Sequence, residues 1–258
     1  MKIGFLGFGS MGRAIAEGLL ARNVCAPKDI YACAKHFDKL SAAASALGIH
    51  AERDAAAVVA QSDIVLPAVI PAIVEDVLRP LLPALQSKLV VSIVSGYDFA
   101  RYEAFLAPGT HHISTIPNTP IAIGEGVLAC ETAHNLTDAE YQTFSDIFGK
   151  IALIVPVAAS QFSAAGTLGG CTPAFTAMFL EALGDAGVKY GLSRAASYQM
   201  AAQVLVGTGM LYLESDLHPG VLKDGVCSPG GSTIRGVAEL EKRAFRGTVI
   251  SAIDAIEG

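Results

Sequence analysis

Gly7, Gly9 and Gly12 stand at the spacing G-x-G-x-x-G, in the run Gly7-Phe8-Gly9-Ser10-Met11-Gly12. Each glycine in that spacing has its own task. The first permits a tight turn, the second lets the backbone approach a pyrophosphate, and the third lets a helix pack closely on a strand. The apolar run 2–6 before it reads as a strand. Residues 11–22 after it place Ile15, Leu19 and Leu20 on one helix face. A glycine turn between strand and helix sets free N–H groups and the positive end of the helix dipole against a phosphate, which suits a nicotinamide dinucleotide. At the end of the next strand, an acid would accept from the ribose 2′-hydroxyl and repel a 2′-phosphate. Here that position reads Ala34-Lys35-His36, with no acid until Asp38. Lys35 can neutralise a phosphate as a point charge, so NADPH is favoured and NADH remains admissible.

A second turn of similar chemistry lies far along the chain, at Cys227-Ser228-Pro229-Gly230-Gly231-Ser232-Thr233, before a helix expected over 234–245. Its glycines allow close backbone approach, and the helix dipole again faces the loop, a setting for a small carboxylate. The alternative is an ordinary helix cap, in which Ser232 or Thr233 serves its own backbone. Two anion-binding turns in one chain point to a dehydrogenase with a carboxylate substrate.

The elements that must position these turns follow from periodicity. Strands are expected at 2–6, 29–34, 63–69, 89–94, 112–116, 127–130 and 151–155. Helices are expected at 11–22, 37–47, 54–61 (with Asp54 as N-cap), 71–85 (opened by Pro71) and 138–148. Alternation of short apolar runs with helical patterns marks a parallel sheet with helices on its faces, a Rossmann-type domain. After Pro156 the strand signals vanish and helical patterns remain at about 160–168, 173–190, 194–216 and 234–256. The fold class is therefore α/β, with a Rossmann-type domain over 1–157 and an all-α domain over 158–258.

Composition bounds the partners. More than half of the 258 residues are apolar (52%) and only 16% are charged, so the chain is expected to bury a subunit interface. A net charge of −6 argues against nucleic-acid binding. The five cysteines (Cys25, Cys33, Cys130, Cys171, Cys227) form no C-x-x-C pair and, with no leader recognised, read as reduced thiols of a cytoplasmic protein. The stretch 151–180 carries no charge, but Pro156, Gly169-Gly170 and Pro173 interrupt it, so no membrane span is expected. No histidine spacing suits a metal, and none is expected.

The same residues resemble the Δ1-pyrroline-5-carboxylate reductase family over essentially the whole chain. The resemblance rests on IGFLGFGSMG (3–12), Ala68-Val69-Ile70-Pro71, Ile116-Pro117-Asn118-Thr119-Pro120 with GEGV (124–127), and the C-terminal pattern from His218-Pro219 through Leu222-Lys223-Asp224 and Ser228-Pro229-Gly230-Gly231-Ser232-Thr233. It implies NAD(P)H-dependent reduction of the cyclic imine to L-proline. It assigns Gly7, Phe8, Gly9, Ser10, Met11 and Gly12 to the pyrophosphate, and Ala34, Lys35 and His36 to the adenosine ribose. Ala68, Val69, Ile70, Pro71, Ser95, Gly96 and Asn118 complete the cofactor set. Val226, Gly230, Gly231 and Ser232 would bind substrate, and Thr233 would set its hydroxyl against the ring nitrogen. The C-terminal domain would make a homodimer, with the decamer as the family's larger assembly.

Three departures bear on the substrate. Ile70 replaces the lysine of the family's A-V-K-P. Ser114 and Ile116 replace the arginine and methionine of R-V-M-P-N-T-P. The family's S-G-S-G-P-A-Y reads Gly169-Gly170-Cys171-Thr172-Pro173-Ala174-Phe175. Other readings share parts of the pattern: a β-hydroxyacid dehydrogenase, for which Lys189 would have to be the acid–base, a reductase of a related cyclic imine, and a non-catalytic NADPH-binding sensor.

Overall fold

The first strand, β1 (Ile3–Leu6), is buried along its whole length, which its apolar sequence dictates for a strand covered on both faces. The computed structural model, describing residues 1–258, continues with α1 (Ser10–Ala21), β2 (Ile30–Cys33), α2 (Phe37–Leu47), β3 (His50–Glu52) and α3 (Ala55–Gln61). Next come β4 (Ile64–Pro67), α4 (Val74–Leu78), α5 (Leu82–Leu85), β5 (Leu89–Ser92) and α6 (Phe99–Glu103). The sheet is finished by β6 (His112–Pro117), β7 (Gly126–His134), α7 (Asp138–Phe148) and β8 (Ala152–Val157). Strand order is β3-β2-β1-β4-β5-β6-β7-β8, parallel except for the β6–β7 pair. The expected Rossmann-type α/β sheet is borne out.

Alternation along the strands sorts the core into two layers. Ile3, Phe5, Ile64, Leu66, Leu89 and Val91 face one side with Ile15 and Leu19 of α1 and Phe144 and Phe148 of α7. Leu6, Val65 and Val90 face the other with Val58 of α3, Leu78 of α4 and Tyr102 of α6. The strand order reverses between β1 and β4, and ligands of such sheets bind outside the carboxyl ends at that point.

Several elements differ from expectation. The helix expected over 71–85 is broken: Pro71–Ile73 and Arg79–Leu81 are 3-10 turns that flank α4, since Pro80 and Pro83 have no N–H for an α-helical bond. β3 and α6 were not expected. Both are too short to carry a period. Asp54 caps α3 as expected, accepting from Ala57 N at 2.7 Å.

The chain divides into two compact units, Met1–Cys171 and Thr172–Gly258. Unit 1 thus runs past Val157, where the strands end, through α8 (Phe162–Gly166) and a π-helical turn, Thr167–Cys171. Buried Phe162 and a bond from Asn118 Nδ2 to the Gly169 carbonyl, 3.0 Å, tie this stretch to the sheet.

Unit 2 holds α9 (Thr172–Lys189), α10 (Arg194–Ser215), α11 (Pro219–Gly225), α12 (Ser232–Lys242) and α13 (Phe245–Glu257). Gly184 of α9 receives the Tyr198 ring of α10, so closely that a Cβ there would lie 2.2 Å from it. The helix expected over 234–256 is two helices, because Arg243 ends α12 and Ala244 turns left-handed at φ +57°. α11 was also unforeseen: His218 caps it, Nδ1 accepting from Gly220 N at 3.0 Å. No helix is long and apolar enough to cross a membrane. The uncharged stretch 151–180 lies in β8, α8, the π-helical turn and the start of α9.

Candidate active site

Gly7 leaves β1 at φ +97°, in the region that L side chains avoid, and a Cβ there would sit 2.5 Å from the Ala68 carbonyl oxygen. The turn is clamped between its neighbours: Gly7 N donates to the Cys33 carbonyl at 2.9 Å, and Ala68 N to the Leu6 carbonyl at 2.8 Å. The turn therefore lies against the end of β4 and is tied to the end of β2. Phe8 sets its ring edge-on to Phe5, 5.7 Å between centroids, which fixes the loop from beneath. Gly9 caps α1 with no side chain serving the helix end, and a Cβ on Gly9 would meet nothing within 4 Å. The N–H groups of Ser10, Met11 and Gly12 thus stand at an open helix N-terminus. An open face, a backbone without Cβ and unserved donors are what a pyrophosphate requires, so these residues fit a dinucleotide.

The other expected cofactor residues gather at the same edge of the sheet. Ala34, Lys35 and His36 follow β2, with Lys35 and His36 exposed. Ala68 and Val69 follow β4 half-buried, and Ile70 and Pro71 are exposed. Ser95 and Gly96 follow β5 and are exposed. Asn118, after β6, is turned inward: Oδ1 accepts from Val127 N at 2.8 Å and Nδ2 donates to Gly169 O. Its amide holds the β6–β7 connection and the π-helical turn.

Two basic residues beside this edge were missed. Arg53, at the end of β3, lies over the Phe37 ring, its guanidinium carbon 4.1 Å from the centroid. Arg101 lies over Tyr97 at 3.7 Å and donates to the Gly96 carbonyl at 3.4 Å. Neither sits in a recognisable motif; the only signal for Arg53 was its place one residue before the Asp54 cap.

The second glycine turn stands in unit 2. α11 ends at Gly225 with Val226 as its C-cap, Lys223 and Asp224 are paired, and Cys227 N donates to the Asp224 carbonyl at 3.0 Å. Gly231 N then closes a turn on Ser228 O at 3.0 Å, with Gly230 at φ +68°. Gly231, not Ser232 or Thr233, is the N-cap of α12, and no side chain caps the helix. The helix begins at Ser232, two residues earlier than expected, so Ser232 and Thr233 are its first residues, at the surface. The ordinary-cap alternative is therefore not what the chain adopts. Backbone donors and two hydroxyls are left together at the positive end of a helix.

Among the departures, Ser114 is fully buried on β6 and its hydroxyl has no partner. Ile116 lies against Gly166, where an added Cβ would be 2.8 Å from Cδ1. Cys171 closes the π-helical turn, half-buried. Elsewhere, burial raises the Cys33 thiol and pushes Cys130 up to about 12, which keeps both protonated and unreactive.

Residues 159–257 match the family model of pyrroline-5-carboxylate reductase dimerisation, and residues 2–96 match a model described as NADP oxidoreductase, coenzyme F420-dependent. A pyrroline-5-carboxylate reductase of Treponema pallidum is 42% identical over 259 residues, covering 99% of this chain and 98% of its own. The chain belongs to the pyrroline-5-carboxylate reductase family. The reductase of Escherichia coli K12 is 36% identical, covering 98% of this chain and 94% of its own. A solved Plasmodium falciparum pyrroline carboxylate reductase with NADP bound superposes with a TM-score of 0.86 at 31% identity, covering 99% of this chain and 95% of its own. Both glycine turns fall inside these full-length reductase matches.

Proposed function

We propose that this chain reduces Δ1-pyrroline-5-carboxylate to L-proline with NADPH. The observation that carries the reading is the uncapped turn at 228–233, an anion cradle with free hydroxyls, in a chain related to such reductases along its whole length. The nicotinamide cofactor, when bound, supplies a hydride. The chain's residues bind, orient and exclude water. Gly7, Phe8, Gly9, Ser10, Met11 and Gly12 hold the pyrophosphate, and Ala34, Lys35 and His36 the adenosine ribose. Ala68, Val69, Ile70, Pro71, Ser95 and Gly96 flank the nicotinamide side, and Asn118 keeps the neighbouring connection in place.

On the substrate side, the turn residues Gly230, Gly231 and Ser232 cradle the carboxylate, the Gly231 N–H staying on Ser228 O to shape the turn, and Val226 offers the ring an apolar contact. The Thr233 hydroxyl orients the ring nitrogen. The protonated imine carbon is already electrophilic, so alignment is the main requirement and no side-chain base is needed for hydride transfer. The imine takes up one hydride and one proton, the proton coming from solvent before the hydride arrives. The strand-bearing cofactor part of the chain is 1–157 and the helical part 158–258, of which 158–171 belongs to the same compact unit as the sheet. The helical part makes a homodimer, and the decamer is the larger assembly of the same reading. The five free cysteines suit a cytoplasmic setting.

Purified protein given NADPH and Δ1-pyrroline-5-carboxylate should oxidise the cofactor, with no turnover of 3-hydroxy acids and NADP. Turnover of the hydroxy acids alone would favour the dehydrogenase reading, and tight NADPH binding without turnover of either the sensor. A related cyclic imine is the second substrate reading, favoured by Ile70, an apolar residue 65% exposed where the family carries lysine. Comparing kcat/KM for the five- and six-membered imino acids separates the two.

A further inference from the structure

Arg53 occupies a position that the glycine turns do not explain. β2 and β3 run parallel with Cys33 opposite Glu52, so the strands release Ala34-Lys35-His36 and Arg53 side by side at their carboxyl ends. That is the edge where sheets of this order take their ligand. Arg53 is exposed and makes no ion pair. Its guanidinium is held on the face of Phe37, 4.1 Å from the centroid. Phe37 is the first residue of α2, whose His36 cap provides no side-chain bond to the helix end. The nearest acid in sequence on the far side, Asp54, is engaged at Ala57 N.

A guanidinium lying on a ring keeps its edge N–H donors free, and an arginine fork matches a phosphate two bonds at a time. Stacking also restricts the side chain before any ligand arrives, which lowers the ordering cost of binding. Lys35 alone would offer only a point charge. We propose that Arg53, racked on Phe37, pairs with Lys35 to hold the 2′-phosphate of NADPH and sets the preference for it over NADH. This rests on the NADPH reading above.

The test is calorimetric titration of the full chain with adenosine 2′,5′-bisphosphate and with adenosine 5′-monophosphate, which need no turnover. The wild type should bind the bisphosphate at least about tenfold more tightly. Arg53→Ala should remove most of that preference while leaving monophosphate binding within about twofold. Arg53→Lys should restore it only in part, and Phe37→Leu should weaken it with Arg53 still present. Preference unchanged in Arg53→Ala would overturn the assignment and leave the NADPH reading standing. Equal loss of both nucleotides would also overturn it, by making Arg53 a structural residue. A wild type without preference would instead overturn the NADPH reading, and this proposal with it.

Discussion

Thr233 is the residue on which the substrate assignment turns. Its hydroxyl caps nothing, so its removal should not disturb α12, whose cap is Gly231. Thr233→Ala is expected to raise KM for the imino acid by about tenfold, the size of one hydrogen bond to a charged group, with NADPH affinity unchanged. Equal loss in both would make the turn structural. The types and spacing at 7–12 and 228–233 were legible because closely spaced glycines just before a helix serve few purposes besides holding an anion. Their local context was less so: whether Ser232 caps its helix or faces outward is decided by the φ of Gly230 and the start of α12, which no residue type announces. Arg53 was invisible for a similar reason, since a lone arginine becomes informative only once its neighbouring ring is known.

Elements with a clear apolar run or period were legible, down to four-residue strands such as β1 and β4, whereas β3, α6, α11 and the breaks within 71–85 and 234–256 were not. β3 (His50-Ala51-Glu52) has no apolar run, and its pairing to β2 comes from the sheet. The left-handed turn at Ala244 splits what the period presents as one helix. Because Ala244 carries a Cβ at φ +57°, Ala244→Gly should stabilise the chain by about 1 kcal/mol, seen as a higher Tm. An unchanged or lower Tm would deny the strain. At the sheet, Glu131 of β7 is 1% exposed and accepts from Phe99 N at 2.6 Å. Burial raises its carboxyl above the usual range, against the lowering effect of that N–H. The stability this group gives is therefore full below the ordinary carboxylate pKa and lost as pH rises through the raised value. Glu131→Gln keeps an acceptor and removes the titration. Its Tm should match the wild type below about pH 4 and exceed it at neutral pH; parallel curves would contradict this.

At the scale of the whole molecule, the low charge content indicated a covered surface, and the helices show where it lies. Only Gly184, Ser197 and Ala201 are buried in α9 and α10, and no residue of α11, α12 or α13 is. Met200, Val204 and Leu211 of α10 recur near one face and are each more than half exposed. A helix that is apolar nearly all round needs more cover than one neighbour gives. Replacing Val204 and Leu211 together with Glu should shift the mass seen by light scattering from dimer to monomer; an unchanged dimer would move the interface elsewhere. The fold class was legible at this scale, whereas the end of unit 1 at Cys171 was not, because α8 and the π-helical turn read as helix while packing with the sheet.

Reduction by this chain should carry a hydride from the cofactor to the imine carbon of a small cyclic carboxylate. The most direct measurement runs the reaction with NADPH deuterated at the transferable position and examines the product by mass and NMR. The expected product is L-proline carrying one deuterium, on the ring carbon next to nitrogen and away from the carboxylate. Unlabelled proline, or label appearing only in a hydroxy acid, would contradict it.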